Sequence, residues 1–364
     1  MASIEIEMDQ KFAYLIVTGT PDYTEFGIDF LAINITSEFR GVKLIPPGPH
    51  FFYTSSKDSL GNSSTARNGI LHYFRPGEIL VKEWNQELEE LQNRCRGDVE
   101  LEKQRIREHL KDLDRFLAIY DYENFTKWKN LTYTLKEDAI LRLSPECGAI
   151  KNSVEFKSCP DKDRPRGKPE VPIRNIRIRS NDDEAMYLPN LEVSAETQPK
   201  YSKLPERFSK TMQPADVTFN NIDTVKLVDK LVDEISSKSK LLEELQHSFI
   251  VYLCGLSVDS LAHWRNILSL LCNSEKSVEK DKQFFKNFVH VIKFQIPEIP
   301  IEFIEQNSTN TIYIDIKNLL RNLVANNCNY LSDSLQTHLK TFIGWTFEDF
   351  LEEDPEDLPQ IVET

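Results

Sequence analysis

GTPDYTEFGIDFLAINITSEFRGVKLIPPGPHFFYTSS, residues Gly19 to Ser56, is the stretch that decides the fold of this chain. The apolar run Phe12 to Val17 leads straight into Gly19-Thr20-Pro21, where glycine permits positive φ and proline stops a strand, so a strand gives way to a turn. A second punctuation at Pro46-Pro47-Gly48-Pro49 is followed at once by His50, Phe51, Phe52, Tyr53 and Thr54, which is strand composition bounded by turn chemistry. A β-rich domain begins here.

Working outward, short apolar runs separated by Gly, Pro, Asn and Ser clusters continue from Phe12 to Trp84, a spacing that favours a β-sandwich or barrel. Ile70 to Phe74 and Ile79 to Trp84 flank Arg75-Pro76-Gly77-Glu78 and predict a hairpin. The period then changes. Leu101, Ile106, Leu110, Leu113 and Leu117 recur among Glu, Lys and Arg, predicting one amphipathic helix over Val99 to Leu117. Tyr120 to Leu143 continues as one or two shorter helices with Tyr122, Phe125, Trp128 and Leu131 on one face; core packing is the plain reading of that face, a ligand-binding aromatic box the alternative.

Ser158 to Arg179 carries seven basic residues against three acidic, with four prolines, and is expected to be a mobile linker. No aromatic residue lies among its arginines to stack a base, which argues against RNA binding. Leu188 to Pro214 shares the proline-rich composition, apart from the Tyr201-Ser202-Lys203-Leu204-Pro205 patch. A second, all-helical domain begins near Ala215. Its helices are marked by Leu241 to Leu256, Leu261 to Leu271, Phe284 to Phe294, Ile312 to Leu323 and Leu331 to Phe342, and consecutive antiparallel helices with short loops stack into a bundle or solenoid, though no repeat of fixed period supports a true repeat array. Phe249 to Cys254 is apolar all round, so that helix belongs at the centre. The expected domains are therefore 1–157 (β-rich with a helical extension), 158–214 (linker), 215–345 (helical) and 346–364 (tail): an α+β chain of two domains.

Composition limits what such a chain does. At 364 residues two cores are expected. A net charge of −14 disfavours nucleic acid phosphates and anionic membranes and suits a basic protein surface. The N-terminus lacks the positive region and apolar core of a signal peptide, so an intracellular protein is expected. Phe249 to Cys254 is far short of the roughly 20 apolar residues that cross a bilayer. Six scattered cysteines without a CxxC pair, and histidines without metal-ligand spacing, predict no metal and no cofactor.

No catalytic signature is present. GTPDYTEFG follows an apolar strand as a phosphate loop would, yet lacks both GxxxxGK[ST] and GxGxxG and is interrupted by proline. Neither GxSxG nor HExxH occurs. Among seven isolated histidines, His50 beside the proline turn is the one whose surroundings decide the matter. From Thr346 onwards the chain holds eight acidic residues and no basic one; such a run is either a solvated end or an interaction tail, and Leu358, Ile361 and Val362 could add as a strand to a partner's sheet edge.

TEFGIDF, FRGVKLIPPG, Trp128-Lys129-Asn130-Leu131-Thr132, LQHSFIVYLCGL followed by His263-Trp264-Arg265, and Trp345-Thr346-Phe347 ahead of the acidic tail together resemble the AAR-two pre-mRNA-splicing factor family, from about Tyr14 to Val362. The resemblance implies an N-terminal β-sandwich, a C-terminal helical domain similar to VHS domains, and no catalysis. It further implies an assembly factor of the U-five small nuclear ribonucleoprotein. Such a factor binds the Prp-eight scaffold protein through the scaffold's RNase H-like and endonuclease-like domains and excludes the Brr-two helicase until maturation, with release under phosphorylation control in at least one member. Its place would be the cytoplasm and also the nucleus. Trp345, Phe347, Leu358, Ile361 and Val362 are the partner contacts this predicts, with Gln360 departing from the apolar residue expected in LPxIV. A cytosolic VHS-like trafficking adaptor is the alternative.

Overall fold

The computed structural model describes residues 11–56, 66–93, 99–152, 155–158, 191–209, 211–307, 309–347 and 350–351. Strand β1 (Ala13–Thr18) shows how its layers arise. Ala13, Leu15 and Val17 join a core between two sheets, while Tyr14 and Ile16 face the other way and are covered by Ile106, Leu110 and Leu113. Side chains alternate across a strand, so an unbroken apolar run requires cover on both faces.

The first sheet has the order β8-β7-β1-β4-β9, with β4 Gly41–Ile45, β7 Ile79–Asn85, β8 Glu90–Asn93 and β9 Leu117–Ile119. The second has the order β10-β6-β5-β2-β3, with β2 Glu25–Ile28, β3 Leu31–Asn34, β5 Gly48–Ser55, β6 Asn68–Phe74 and β10 Ile150–Lys151. Val42, Ile45, Phe26, Ile28, Phe52 and Phe74 fill the sandwich between them. Gly41, in the FRGVKL motif, sits at φ +133° where a Cβ would lie 1.8 Å from the Leu15 carbonyl oxygen, so only glycine fits this crossing with β1.

Two expectations for this domain are corrected. The Ile70–Phe74 and Ile79–Trp84 segments are strands but not a hairpin: β6 pairs antiparallel with β5, while β7 pairs parallel with β1 in the other sheet. The Arg75–Glu78 turn, closed by Glu78 N donating to Arg75 O (3.1 Å), carries the chain between sheets. A turn signal specifies reversal, not which sheet receives the next strand. The Val99–Leu117 helix is also interrupted. It becomes α1 (Val99–Glu108), α2 (Leu110–Leu113) and a 3-10 turn, after which Leu117 enters β9 beside β4. Sheet pairing at Gly41–Lys43 overrides the local helical period, and Leu101 is left exposed.

Helices α3 (Phe125–Leu131) and α4 (Glu137–Leu143) bury Trp128, Leu131, Ile140 and Leu143, the core reading of that aromatic face, while Tyr122 stays at the surface. The helical domain runs from α5 (Pro214–Ile222) through α6 (Val225–Ile235), α7 (Lys238–Gly255), α8 (Val258–Cys272), α9 (Glu275–Lys280), α10 (Lys282–Gln295) and α11 (Thr311–Ala325) to α12 (Asn329–Ile343). Every residue of α7 from Leu241 to Val251 is buried, so the helix expected at the centre is there.

Being central, α7 must satisfy polar residues on every face. Toward the β domain, Gln246 Oε1 accepts from Thr134 N (2.7 Å) and from the Thr134 hydroxyl, and its Nε2 donates to Leu131 O (2.9 Å). Arg142 pairs with Glu243 (2.9 Å), and Arg67 donates to Cys254 O (2.8 Å). Phe51, Tyr53, Leu71 and Ile150 of the second sheet share one apolar cluster with α7. The two domains thus have a common core. Replacing Gln246 with Ala orphans the Thr134 N–H and the Leu131 carbonyl; we expect a loss of about 1–3 kcal/mol in denaturant unfolding. A loss below 0.5 kcal/mol, on the order of a surface change, would refute the bridge.

Residues 159–190, most of the basic proline-rich stretch, lie outside the described residues. The following segment is a strap rather than a free linker. β12 (Leu191–Val193) pairs with β11 (Phe156–Ser158), Lys200 N donates to Leu143 O (2.9 Å), and Ser202 is held by Glu244 of α7 through its N–H and hydroxyl, both at 2.8 Å. Prolines keep a segment from packing on itself, yet an extended strap packs on others.

Candidate protein-interaction surface

At the end of α12, Gly344 (φ +74°) reverses the chain and delivers Trp345-Thr346-Phe347 against α11. Trp345 is 2% exposed and its Nε1 donates to Ile304 O (2.8 Å). Phe347, 6% exposed, stacks on Tyr313 with centroids 5.2 Å apart. Gln306 brackets Thr346, donating to its carbonyl (2.7 Å) and accepting from its N–H (3.1 Å). Arg321 then donates to Phe350 O.

Trp345 and Phe347, expected as partner contacts, are therefore internal anchors. Aromatic rings with polar handles serve either role, and burial decides between them. Past residue 345, Thr346 and Phe347 pack beside α11, and Phe350 is held there by Arg321. Leu358, Ile361 and Val362 lie outside the described residues.

An exposed face forms nearby that sequence reasoning missed. Tyr133, between α3 and α4, meets His290 of α10 (4.7 Å); His290 meets Phe294 (5.2 Å), Phe294 meets His338 of α12 (5.3 Å), and His338 meets Phe342 (4.3 Å). Tyr133 is 57% and Phe342 64% exposed. Burial and the neighbouring Lys293 charge push both imidazoles down, His338 to about 4, so the stripe is neutral and aromatic at physiological pH. Tyr133 and Phe342 expose the two ends of this run of rings, while His290, Phe294 and His338 between them are half-buried; partly exposed aromatic surface of this kind is a candidate contact surface. The His290–Phe294 and His338–Phe342 pairs stand at i,i+4, a signal present in the sequence; their juxtaposition across two helices and a loop is not.

His50 is enclosed. Its Nδ1 faces Asp29 Oδ2 (2.6 Å), its Nε2 donates to Pro46 O (2.8 Å), and Tyr120 donates to the same Asp29 oxygen (2.7 Å) while Phe51 N donates to Oδ1 (2.9 Å). Phe74, Tyr120 and Trp128 surround the imidazole. Burial pushes the Tyr120 phenol up, and the Asp29 carboxylate adds to the shift. Both ring nitrogens are committed to protein partners. The network does structural work: it ties the left-handed turn at Asp29 (φ +52°) to β5. Among the described residues no group of three or more His, Cys, Asp or Glu side chains is placed to hold a metal ion, and no helix is long and apolar enough to cross a membrane.

Comparison with known proteins agrees with these two domains. Residues 11–145 match the AAR2 N-terminal domain and residues 201–348 the AAR2 C-terminal repeat region. The chain is 28% identical to the Protein AAR2 homolog of Mus musculus over 366 residues, covering 96% of this chain and 93% of the relative, and equally so to that of Homo sapiens. It is 29% identical over 311 residues to the Protein AAR2 homolog of Caenorhabditis elegans, covering 81% and 82%. With both domain profiles matched in order and full-length relatives aligned across them, the chain belongs to the AAR2 family.

Proposed function

We propose that this protein is a non-catalytic assembly factor of the spliceosome, acting on the U-five small nuclear ribonucleoprotein precursor in the cytoplasm, and also in the nucleus. It binds the Prp-eight scaffold through that protein's RNase H-like and endonuclease-like domains and keeps the Brr-two helicase away until maturation. Membership of the AAR2 family supports the reading. The observation that carries it is the anchored acidic tail: eight acidic residues after Trp345 leave from a buried aromatic clamp, beside a two-domain body that exposes a neutral aromatic stripe. Such an arrangement steers toward a basic protein face and gives the tail a fixed origin for strand addition.

The test truncates the chain after Leu351, not at Phe347, because the clamp belongs to the core. Titrating a Prp-eight fragment carrying both domains, we expect truncation to weaken binding about tenfold, to flatten its salt dependence, and to leave the chain folded with a cooperative unfolding transition. Equal affinity for both chains would remove the tail from the mechanism; no binding by either would remove the partner.

A further inference from the structure

A groove of about 690 Å³ lies between α8 and α11, walled by Val258, Leu261, Arg265 and Ile314 and floored by Arg207 and Asp315. Its floor is a continuous hydrogen-bonded chain. Arg207 donates to Ser269 Oγ (2.9 Å), Ser269 Oγ and Asn273 Nδ2 donate to Asp315 Oδ1 (3.1 and 2.6 Å), and Asn318 donates to Asn273 Oδ1 (2.8 Å). The chain ends where the tail begins. Arg321 donates to Asn318 Oδ1 (3.4 Å) and, through Nε, to Phe350 O.

Three features of the groove specify its occupant. Two guanidiniums, Arg207 and Arg265, act on the one buried carboxylate, Asp315, so the charged lining of the groove is net positive. Val258, 71% exposed, leaves an apolar wall uncovered beside that charge. The third feature is distance. Arg321, which holds Phe350 O, and Asn318 of the groove are separated by about 4.5 Å of helix rise, a distance that two extended residues span, so the described chain ends, at Leu351, within reach of the groove's Asn318 end. That chain reads EEDPEDLPQIVET, six carboxylates with Leu358 and Ile361 among prolines, and offers what the groove lacks.

We propose that residues Glu352 to Thr364 dock on the α8/α11 groove of their own chain, acidic side chains on Arg265 and Arg207 and a following apolar residue on Val258, Leu261 and Ile314. The docked tail is withheld from any partner, so engagement elsewhere first requires its release. The proposal stands apart from the identity of that partner, because its test uses this chain alone.

The full-length Arg265→Lys variant, treated with a carbodiimide, should form a zero-length intrachain link from position 265 to a carboxylate within residues 352–357, read by mass spectrometry and suppressed by high salt. Links from that position only to carboxylates outside the tail would overturn the proposal, as would links joining isotopically light and heavy chains, which would mean that the groove serves a second copy. A fluorescent peptide of residues 352–364 gives an independent measure. The chain ending at Leu351 keeps every core contact of the Trp345 and Phe347 clamp, and it should bind the peptide at least about tenfold more tightly than the full chain, whose own tail competes at high effective concentration. Arg265→Glu in the shorter chain should reduce binding about fivefold or more. Equal binding by the long and short chains, or none by the short one, refutes internal docking.

Discussion

Trp128→Ala should lower stability by about 3–5 kcal/mol, near the upper end for one side chain. Trp128 is fully buried where three layers meet. Its Nε1 donates to Pro49 O (2.7 Å), its ring meets Phe30 edge-on at 5.8 Å, and it lies parallel to His50. Its helix, α3, is tied to the helical domain one residue earlier by Lys127 and Glu298 (2.7 Å). Truncation would leave a cavity and an unpaired carbonyl at the start of β5. Urea unfolding at neutral pH measures the loss, and Trp128→Phe, which keeps most of the volume but not the donor, should recover more than half of it. Because the core is shared, amide exchange in β5 and in α7 should quicken together. Faster exchange in β5 alone would show that the domains unfold independently.

Acid should destabilise the fold well before its surface carboxylates titrate. His247, enclosed in α7, is pushed by burial from 6.5 down to about 3, the opposing Glu244 charge notwithstanding. Between those values the unfolded chain binds a proton that the folded chain refuses, so stability falls as pH falls through that window. The loss is about 2 kcal/mol at pH 5 and about twice that near pH 3.5. Glu244 acts in the same direction. Burial alone would raise its pKa, but the hydrogen bond from His263 (2.7 Å) with its charge, and the two donors of Ser202, hold it below the usual carboxylate range. Its contribution is complete above the unfolded carboxylate pKa and disappears as pH drops through the lowered folded one. Denaturant midpoints at pH 7 and pH 5 test this. His247→Gln removes the ionisable group and should lose most of the difference between the two pH values; an unchanged difference would place the acid sensitivity elsewhere.

This network also holds the strap. Tyr201 stacks on His263 at 4.3 Å and donates to Ser260 Oγ (3.0 Å), so acid that weakens Glu244–His263 loosens residues 199–202 against α7. That segment joins the two domains, and the stretch matched by the C-terminal family profile begins within it, at residue 201. The same few side chains therefore set local stability and the path between domains.

What the sequence determined by itself is local. Ala13 to Val17 and His50 to Thr54 specify strands because apolar, β-branched and aromatic runs are bounded by Gly and Pro. The periods through Leu241, Leu261, Phe284, Ile312 and Leu331 specify helices, and the uniformly apolar Phe249 to Cys254 specifies the central one. Partner choice was not legible. Whether β7 follows β6 into one sheet or crosses to another depends on which apolar face needs cover, and no turn residue encodes that. Trp345 and Phe347 carry the same letters whether they point outward to a partner or inward onto Tyr313; only the fold back at Gly344 decides. The Tyr133 to Phe342 stripe and the groove of Arg207 and Arg265 likewise assemble residues far apart in the chain, brought together because packing α7 against every neighbour leaves α8, α10, α11 and α12 their outer faces. Local propensity acts over a few residues, whereas contact depends on which buried surface each element must share, and that is settled only when all of them are in place.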